Sequence, residues 1–141
     1  MWDGSTIARM EDTAAALDHI RGVCLALPEV EERLSHGAPT FFVRGKKTFL
    51  SVWSHGHHDN EFAHLWCAAP EGVQARLIAD RSWEFFRPPY VGHRGWLGVR
   101  LDRGLPLDEL TDLCEDAYCV VAPPTLVRRF LSEADGGPGG R

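Results

Sequence analysis

The sequence predicts a single small α+β domain in which short β-strands lie between amphipathic helices. Two observations lead to this prediction: apolar residues recur at helical spacing near both ends of the chain, and they alternate with polar residues in between. A length of 141 residues suffices for one hydrophobic core. We therefore expect residues 12–132 to form one domain, preceded by a flexible N-terminus (1–11) and followed by a disordered, glycine-rich tail (133–141).

The first helix is predicted to begin at Asp12 or Thr13, since either residue can cap it, and to end before Pro28. Its buried face consists of four residues at a spacing of three and four: Leu17, Ile20, Cys24 and Leu27. The acidic segment 29–32 that follows is interpreted as a solvated connection.

A hairpin with a basic tip comes next. Alternating apolar residues predict strands at 41–43 and 49–53, and the turn 44–47 contains the glycine that a tight turn requires. A third strand is predicted at 62–68, and a short helix follows at 72–80.

The segment 81–103 contains five arginines and five aromatic residues. Pro88 and Pro89 exclude both a helix interior and a central strand there, whereas residues 96–101 alternate as a strand does. A second long helix is predicted from Pro106. Its buried stripe consists of Leu107, Leu110, Leu113, Cys114, Ala117 and Val121. Residues 125–133 predict a terminal helix.

The charge of the chain is unevenly distributed. The net charge is −5, which argues against a protein that coats nucleic acid through bulk electrostatics. Residues 36–104 nevertheless carry nine basic against six acidic residues. No apolar run approaches the roughly 18 residues of a membrane span, and the N-terminus is acidic where a signal peptide is basic. We expect a cytoplasmic protein without membrane contact, whose four cysteines are reduced.

The histidine-rich segment His55-Gly56-His57-His58-Asp59 is superficially similar to the HxHxD start of a binuclear zinc hydrolase. The other ligands of such a site are lacking at the required spacing, and a zinc site needs about four ligands at fixed geometry. His64 and Cys67 are three apart on a predicted strand, so they point to opposite faces. We interpret these histidines as solvated loop residues and predict no metal.

No catalytic constellation is recognisable. The chain has no GxSxG nucleophile motif, no GxGxxG and no GxxxxGK[ST] phosphate loop. No pair of carboxylates stands in the apolar surroundings that favour acid–base catalysis. We therefore expect a protein that is not an enzyme and has no cofactor, and an uncharacterised enzyme is the third alternative.

The basic hairpin and the segment 81–103 are the best candidates for a binding site, because interleaved arginine and aromatic residues suit phosphate contact and base stacking. The candidate nucleic-acid contacts are Arg44, Lys46, Lys47, Arg87, Arg94 and Arg100. An alternative is a protein- or small-ligand-binding adaptor that uses the loop 88–96. Its candidate residues are Tyr90, His93 and Trp96, with Tyr90 and Trp96 as an exposed pair. The bulky residues Trp83, Phe85 and Phe86 are expected in the core.

A series of short segments runs in a specific order between about residues 14 and 124. It comprises a helix ending in LALPEVEE, then SHGAPTFFVRGKKTFLSVW, then His93-Arg94-Gly95-Trp96 and a helix that begins LPLDEL. In this order the sequence resembles the MmcQ/YjbR-like family. The resemblance implies a two-layer fold, an antiparallel sheet with flanking helices in the order α-β-β-β-α-β-β-α. It also implies membership of a "double wing" group of DNA-binding proteins, and it supplies no catalytic residues. We therefore expect a nucleic-acid-binding or nucleic-acid-associated accessory domain, with DNA as its possible partner.

Overall fold

The structure is a computed structural model that describes the backbone of residues 4–57 and 61–135 and the side chains of residues 13–57 and 61–134. Its helices are α1 (Gly4–Leu25), α2 (Val73–Asp80), α3 (Leu107–Val121) and α4 (Pro124–Asp135). Its strands are β1 (Val30–Ser35), β2 (Ala38–Val43), β3 (Lys47–Trp53), β4 (His64–Cys67), β5 (Phe85–Phe86) and β6 (Leu97–Arg100). This confirms the predicted α+β class.

The six strands form one antiparallel sheet in the order β1-β2-β3-β4-β6-β5. Helices α1 and α3 contact each other and pack on one face of this sheet. Most residues of the predicted stripes supply the core, where Ile20, Cys24, Leu110 and Cys114 are at most 2% exposed. Leu107, also predicted to be buried, is 49% exposed at the first residue of α3. Burial of these apolar surfaces is the main contribution to the stability of the fold. We call the other side of the sheet the open face.

Tyr118 of α3 connects distant parts of the chain. Its hydroxyl donates a hydrogen bond to the carbonyl of Pro28 at 2.8 Å, and its ring meets the edge of Phe49 with centroids 5.7 Å apart. Burial raises the pKa of Tyr118 to about 12. The phenol therefore stays a hydrogen-bond donor throughout the physiological range, and it fixes the corner between α1 and β1.

A β-bulge in β3 determines which residues face away from the helices. Thr40 pairs with Ser51 and Phe42 pairs with Thr48, so positions two apart in β2 correspond to positions three apart in β3. The extra residue lets Phe49 face the helices and contact Tyr118, while Thr48 and Ser51 both reach the open face. The regular alternation predicted for residues 49–53 is wrong at this point, because a bulge leaves no mark in the hydrophobic pattern.

Two elements extend beyond their predicted limits. Helix α1 begins at Gly4 rather than at Asp12 or Thr13, because neither glycine nor proline interrupts residues 5–21. Residues 133–135 of the predicted tail belong to α4, while residues 1–3 and 136–141 lie outside the described part of the chain. No helix among the described residues is long and apolar enough to span a membrane.

The acidic segment interpreted as a connection is largely a strand. Residues 30–35 form the edge strand β1, paired along its length with β2. The guanidinium of Arg21 binds both carboxylate oxygens of Glu32 at 2.7 and 2.8 Å, and Arg33 stacks on Phe42 with 3.8 Å between Cζ and the ring centroid. These contacts with α1 and β2 stabilise a charged sequence in extended conformation. The sequence of the segment itself gives no sign of them.

A candidate ligand-binding site on the open face of the sheet

The open face contains a cavity of about 650 Å³, which we call the aromatic cavity. Strands β2, β3 and β4 form its floor, and the segment 90–96 forms one wall. Its lining comprises Ser35, His36, Thr40, Thr48, Leu50, Ser51, Trp53, His57, Trp66, Tyr90, Val91 and Trp96. A volume of this size is typical of small-molecule sites, which are usually apolar with a few polar groups.

Aromatic rings make up much of the cavity. Trp53 and Trp66 lie on adjacent strands with centroids 4.8 Å apart, and His57 meets the Trp53 ring edge-on at 4.9 Å. Tyr90 is 68% exposed and lies 6.3 Å from His57, whereas Trp66 and Trp96 are nearly buried. The cavity thus has a deep apolar part and an aromatic mouth, an arrangement that suits a flat aromatic ligand.

Polar groups are arranged along the strands that form the floor. The hydroxyl of Thr40 donates a hydrogen bond to the carbonyl of Ala38 at 2.9 Å. The Ser51 hydroxyl accepts a hydrogen bond from the indole N–H of Trp53 at 3.2 Å. The hydroxyl of Thr48 has no hydrogen-bond partner within the described residues. Thr48 therefore offers a ligand a hydroxyl that can both donate and accept, while the Ser51 hydroxyl can still donate its proton.

His64 lies beside the aromatic cavity on the same face of the sheet, since it pairs with Trp53. Its ring stacks against Trp53 at 17° with centroids 6.4 Å apart, and its Nδ1 donates to the carbonyl of Phe62 at 2.7 Å. Burial lowers the pKa of His64, so the ring is neutral and its Nε2 carries a lone pair. Among the described residues neither this Nε2 nor the buried indole N–H of Trp66 has a hydrogen-bond partner. One buried acceptor, His64 Nε2, and one buried donor, Trp66 Nε1, therefore have no hydrogen-bond partner at the cavity within the described residues.

A second depression adjoins the cavity, and we call it the cationic groove. It has a volume of about 500 Å³ and is lined by Lys46, Lys47, Thr48, Arg94, Trp96, Val120 and Val121. Its three cations are exposed, and none of them has an ion-pair partner in the parts of the chain that the structure describes. Thr48 and Trp96 line both depressions. A ligand can therefore occupy the aromatic cavity and reach the cationic groove at once.

The loop between β5 and β6 brings Arg94 and Trp96 into position. It makes one 3-10 turn at Gly92–Arg94, and Gly95 closes that turn with a φ of 83° that favours glycine. The side-chain amide of Gln74, on α2, donates to the carbonyls of Gly92 and Trp96 at 2.8 and 2.5 Å. This double hydrogen bond fixes both ends of the turn that carries Arg94.

The sequence matches the family model described as YjbR over residues 25–120. The chain belongs to the YjbR family. The Deinococcus radiodurans protein DR2400, whose crystal structure shows a DUF419 domain, has a similar fold with a TM-score of 0.65. That protein is 20% identical, and the alignment covers 89% of this chain and 94% of DR2400. No curated protein matches the sequence.

In this YjbR-family chain three of the six predicted cations come together. Lys46, Lys47 and Arg94 line the cationic groove, although Lys47 and Arg94 are 47 positions apart in sequence. Arg44 lies beside them in a smaller depression, where it donates to the carboxylate of Glu29 at 3.0 Å. The tip of the basic hairpin and Arg94 of the 88–96 loop therefore lie on one surface.

The other two predicted cations of the YjbR-family chain lie elsewhere. Arg100 stacks on Phe62 at 3.7 Å and binds both carboxylate oxygens of Asp102 at 2.9 and 2.6 Å. Burial alone would raise the pKa of Asp102, but the hydrogen bonds and charge of Arg100 outweigh it and lower that pKa. Arg87 is exposed and packs along Gly92, outside the groove. Arg87 and Arg100 therefore lie outside both depressions.

The aromatic residues also differ from expectation. Trp96 is 5% exposed, so Tyr90 and Trp96 are not an exposed pair, and the exposed His93 lines neither depression. Trp83, expected in the core, is 63% exposed, and the Arg103 guanidinium stacks on its ring with 3.5 Å between Cζ and the ring centroid. Phe85 is buried as expected.

Sequence reasoning missed the residues that form most of the cavity. Trp53 and Trp66 come from strands in which neighbouring positions are also apolar, so periodicity did not separate the two faces. His57, from the histidine-rich segment, lies in the cavity wall, while His58 and Asp59 lie outside the described residues. No group of three His, Cys, Asp or Glu side chains suited to a metal ion occurs where the structure describes the chain.

Proposed function

We propose that this YjbR-family protein binds single-stranded nucleic acid, with one base in the aromatic cavity and the adjoining phosphates in the cationic groove. The observation that carries the proposal is the common wall of the two depressions, Thr48 and Trp96. In a nucleotide the base and the phosphate are joined through one sugar, so both can be bound only where an aromatic surface and a cationic surface adjoin. The domain would act by binding, without a catalytic step.

Stacking would supply much of the affinity. Base–aromatic stacking contributes about 1–3 kcal/mol per base in single-strand-binding proteins. The cavity offers the rings of Trp53, Trp66 and Trp96, of which the last two are nearly buried and so already desolvated and ordered. Pre-ordered rings lower the entropic cost of binding. The cavity is thus suited to a base that has left the helical stack.

Single strands fit this surface better than duplex DNA. A base within a duplex is stacked and paired, and it reaches a cavity only after being flipped out at a cost of a few kcal/mol. Arg44, which borders the cationic groove and would widen the phosphate contact, is neutralised by Glu29. With a net charge of −5 the remaining surface repels a long polyanion. The free cations suffice for about three phosphates.

A protein partner anchored by the 88–96 loop is less well supported. The exposed aromatic surface of that loop reduces to Tyr90, since Trp96 is buried in the cavity wall. A small anionic aromatic ligand satisfies the same geometry as a strand, because the cavity and the groove together have room for one nucleotide. Comparison of a mononucleotide with an oligonucleotide separates these two ligands.

The proposal is tested by fluorescence anisotropy with labelled 12-residue single strands of DNA and RNA across a salt series. Three phosphate contacts predict a log–log salt dependence of about −2, at about −0.7 per phosphate for single strands. Lys46→Glu and Arg94→Glu should each weaken binding at least tenfold, since each replaces an attraction by a repulsion. Trp53→Ala should weaken it by a similar factor through lost stacking.

The matched control is Arg128→Glu, the same charge change at an exposed residue of α4 that lines neither depression. It should leave the affinity within about twofold, which separates local contact from net charge. Absence of binding to every strand at low salt contradicts the proposal, as does retention of affinity in both groove variants. Equal affinity for a mononucleotide and a 12-residue strand would favour a small ligand instead.

A further inference from the structure

The outer edge of β1 has unpaired backbone groups. Arg44 donates its backbone N–H to the carbonyl of Glu29 at 2.9 Å, so these two residues are a hydrogen-bonded pair of the β1–β2 ladder. Such pairs alternate along an antiparallel ladder, and therefore Val30, Glu32 and Leu34 direct their N–H and C=O groups away from β2. No backbone partner for these groups lies within the described residues.

The side chains of this edge are unusual in two respects. Leu34 is 74% exposed, more than any other large hydrophobic residue whose side chain is described. Charged residues normally protect an edge strand from pairing with another chain. Here, however, the two exposed charges Glu31 and Arg33 have opposite signs and stand two positions apart on the same side of the strand. An edge of this kind repels most strands but is complementary to a copy of itself.

We infer that the β1 strands of two copies of this chain pair antiparallel, about a twofold axis at Glu32. In this register Val30 lies opposite Leu34 of the second copy, Glu31 opposite its Arg33, and Glu32 opposite its Glu32. The outward-directed residues of both strands face one another as hydrogen-bonded pairs, as an antiparallel ladder requires. The pairing forms up to about six hydrogen bonds and joins two six-stranded sheets into one.

Each pair of side chains is accounted for. Val30 and Leu34 form an apolar contact on the helix side of the sheet, which shields the exposed leucine. Glu31 and Arg33, already an ion pair within one copy, form a ring of four charges of alternating sign with the second copy. The two copies of Glu32 meet at the axis, where each carboxylate is held by Arg21 of its own chain at 2.7 and 2.8 Å. Without Arg21 this contact between like charges would oppose pairing.

Charge also selects this register over its neighbours. Outward-directed groups remain opposite one another only when a strand shifts by two residues. A shift in one direction brings Glu31 opposite Glu31, and a shift in the other brings Arg33 opposite Arg33. Like charges directly opposite each other destabilise a strand pair. Only the register centred on Glu32 places unlike charges together.

The dimer would present both open faces on the same side, because a twofold axis between antiparallel strands is perpendicular to the sheet. Five strand spacings separate the two copies of β3, so the aromatic cavities lie about 25 Å apart. The contact is short, and interfaces of this size form weak, concentration-dependent complexes. The pairing does not depend on what the cavity binds.

Sedimentation velocity between about 5 and 500 µM tests the dimer in the concentration range of weak complexes. The wild-type chain should shift from monomer to dimer as concentration rises. Glu31→Arg and Arg33→Glu should each raise the dissociation constant by about tenfold or more, because like charges then face each other twice. The double variant Glu31→Arg with Arg33→Glu should return to the wild-type value.

Mixing the two single variants provides the decisive measurement. A chain with two arginines and a chain with two glutamates are complementary to each other, so the mixture should form heterodimers although neither variant dimerises alone. If a substitution prevented dimerisation by disturbing the fold of its own chain, mixing the two variants would not restore dimers. The inference is overturned if the wild type stays monomeric at about 500 µM. It is also overturned if the single variants dimerise as well as the wild type, or if the mixture remains monomeric.

Discussion

Gly98 shows how one missing side chain shapes the open face. It pairs with Trp66 on β4 and with Phe86 on β5. A Cβ atom at this position would lie 2.5 Å from two carbons of the Phe86 ring. That ring cannot easily withdraw, since it packs edge-on against Phe62 and His64 at 5.5 and 5.4 Å. The glycine is required here for its lack of volume and not for its backbone freedom.

Gly98→Ala should therefore destabilise the protein by about 1–3 kcal/mol, the usual cost of overpacking a rigid core. Urea denaturation measures this change. Gly22→Ala is the matched control, because nothing lies within 4 Å of a Cβ atom added to this glycine in α1. The control should stabilise the protein by about 0.5–1 kcal/mol, since alanine favours the helix. Equal effects of the two substitutions would contradict the packing of β5 on β6.

His64 predicts a dependence of stability on pH. Burial lowers its folded-state pKa below the unfolded value of about 6.5, with the charges of His57 and Arg100 acting in the same direction. The unfolded chain therefore binds more protons, and stability is lost as pH falls below about 6.5. His64→Asn keeps a donor near Nδ1 but does not titrate. It should flatten the decline of unfolding free energy between about pH 7.5 and 5. His93→Asn, the same substitution at an exposed histidine, is the matched control.

At the scale of elements, the loop between β5 and β6 depends on α2. Apolar residues of α2 such as Val73 and Leu77 are only half-buried, and no residue of that helix is fully buried. Its strongest described connection to the site is Gln74, whose amide binds two loop carbonyls. The helix therefore acts less as part of the core than as a support for the segment that carries Arg94 and Trp96.

Gln74→Leu should leave those two carbonyls without their donor and loosen the loop. We expect faster amide exchange within residues 91–96 and a loss of single-strand affinity of about five- to tenfold, because an unpaired polar group costs about 1–3 kcal/mol. Hydrogen-exchange mass spectrometry and anisotropy measure the two effects. Arg76→Leu, on an exposed position of the same helix, should change neither. Affinity loss without faster exchange would show that Gln74 contacts the ligand rather than positions the loop.

At the scale of the whole molecule, the fold was more predictable than the site. Helices α1 and α3 followed from stripes such as Ile20 with Cys24 and Leu110 with Cys114, because a helix buried on one side must repeat its apolar residues at that spacing. Strand β4 is buried on both faces, so its sequence could not reveal that Trp66 lines a cavity. The sequence also could not show which cations are paired with a carboxylate. Only the folded chain shows that Arg100 forms an ion pair with Asp102, whereas Lys46 and Arg94 have no ion-pair partner among the described residues.

Because of the bulge in β3, the number of residues between the two ends of this strand determines which side chains face the cavity. Successive side chains of a strand point to opposite faces of the sheet. Loss of the extra residue at Phe49 would therefore turn every side chain on one side of the bulge to the opposite face, while those on the other side kept theirs. Either Trp53 would turn into the helix-packed core and the small polar Ser51 would leave the floor, or the basic tip would be displaced. A deletion of one residue here would thus abolish the cavity while retaining every residue that lines it. Homologous chains that use this cavity should accordingly keep the same length between Thr40 and Trp53, even where the residues themselves differ.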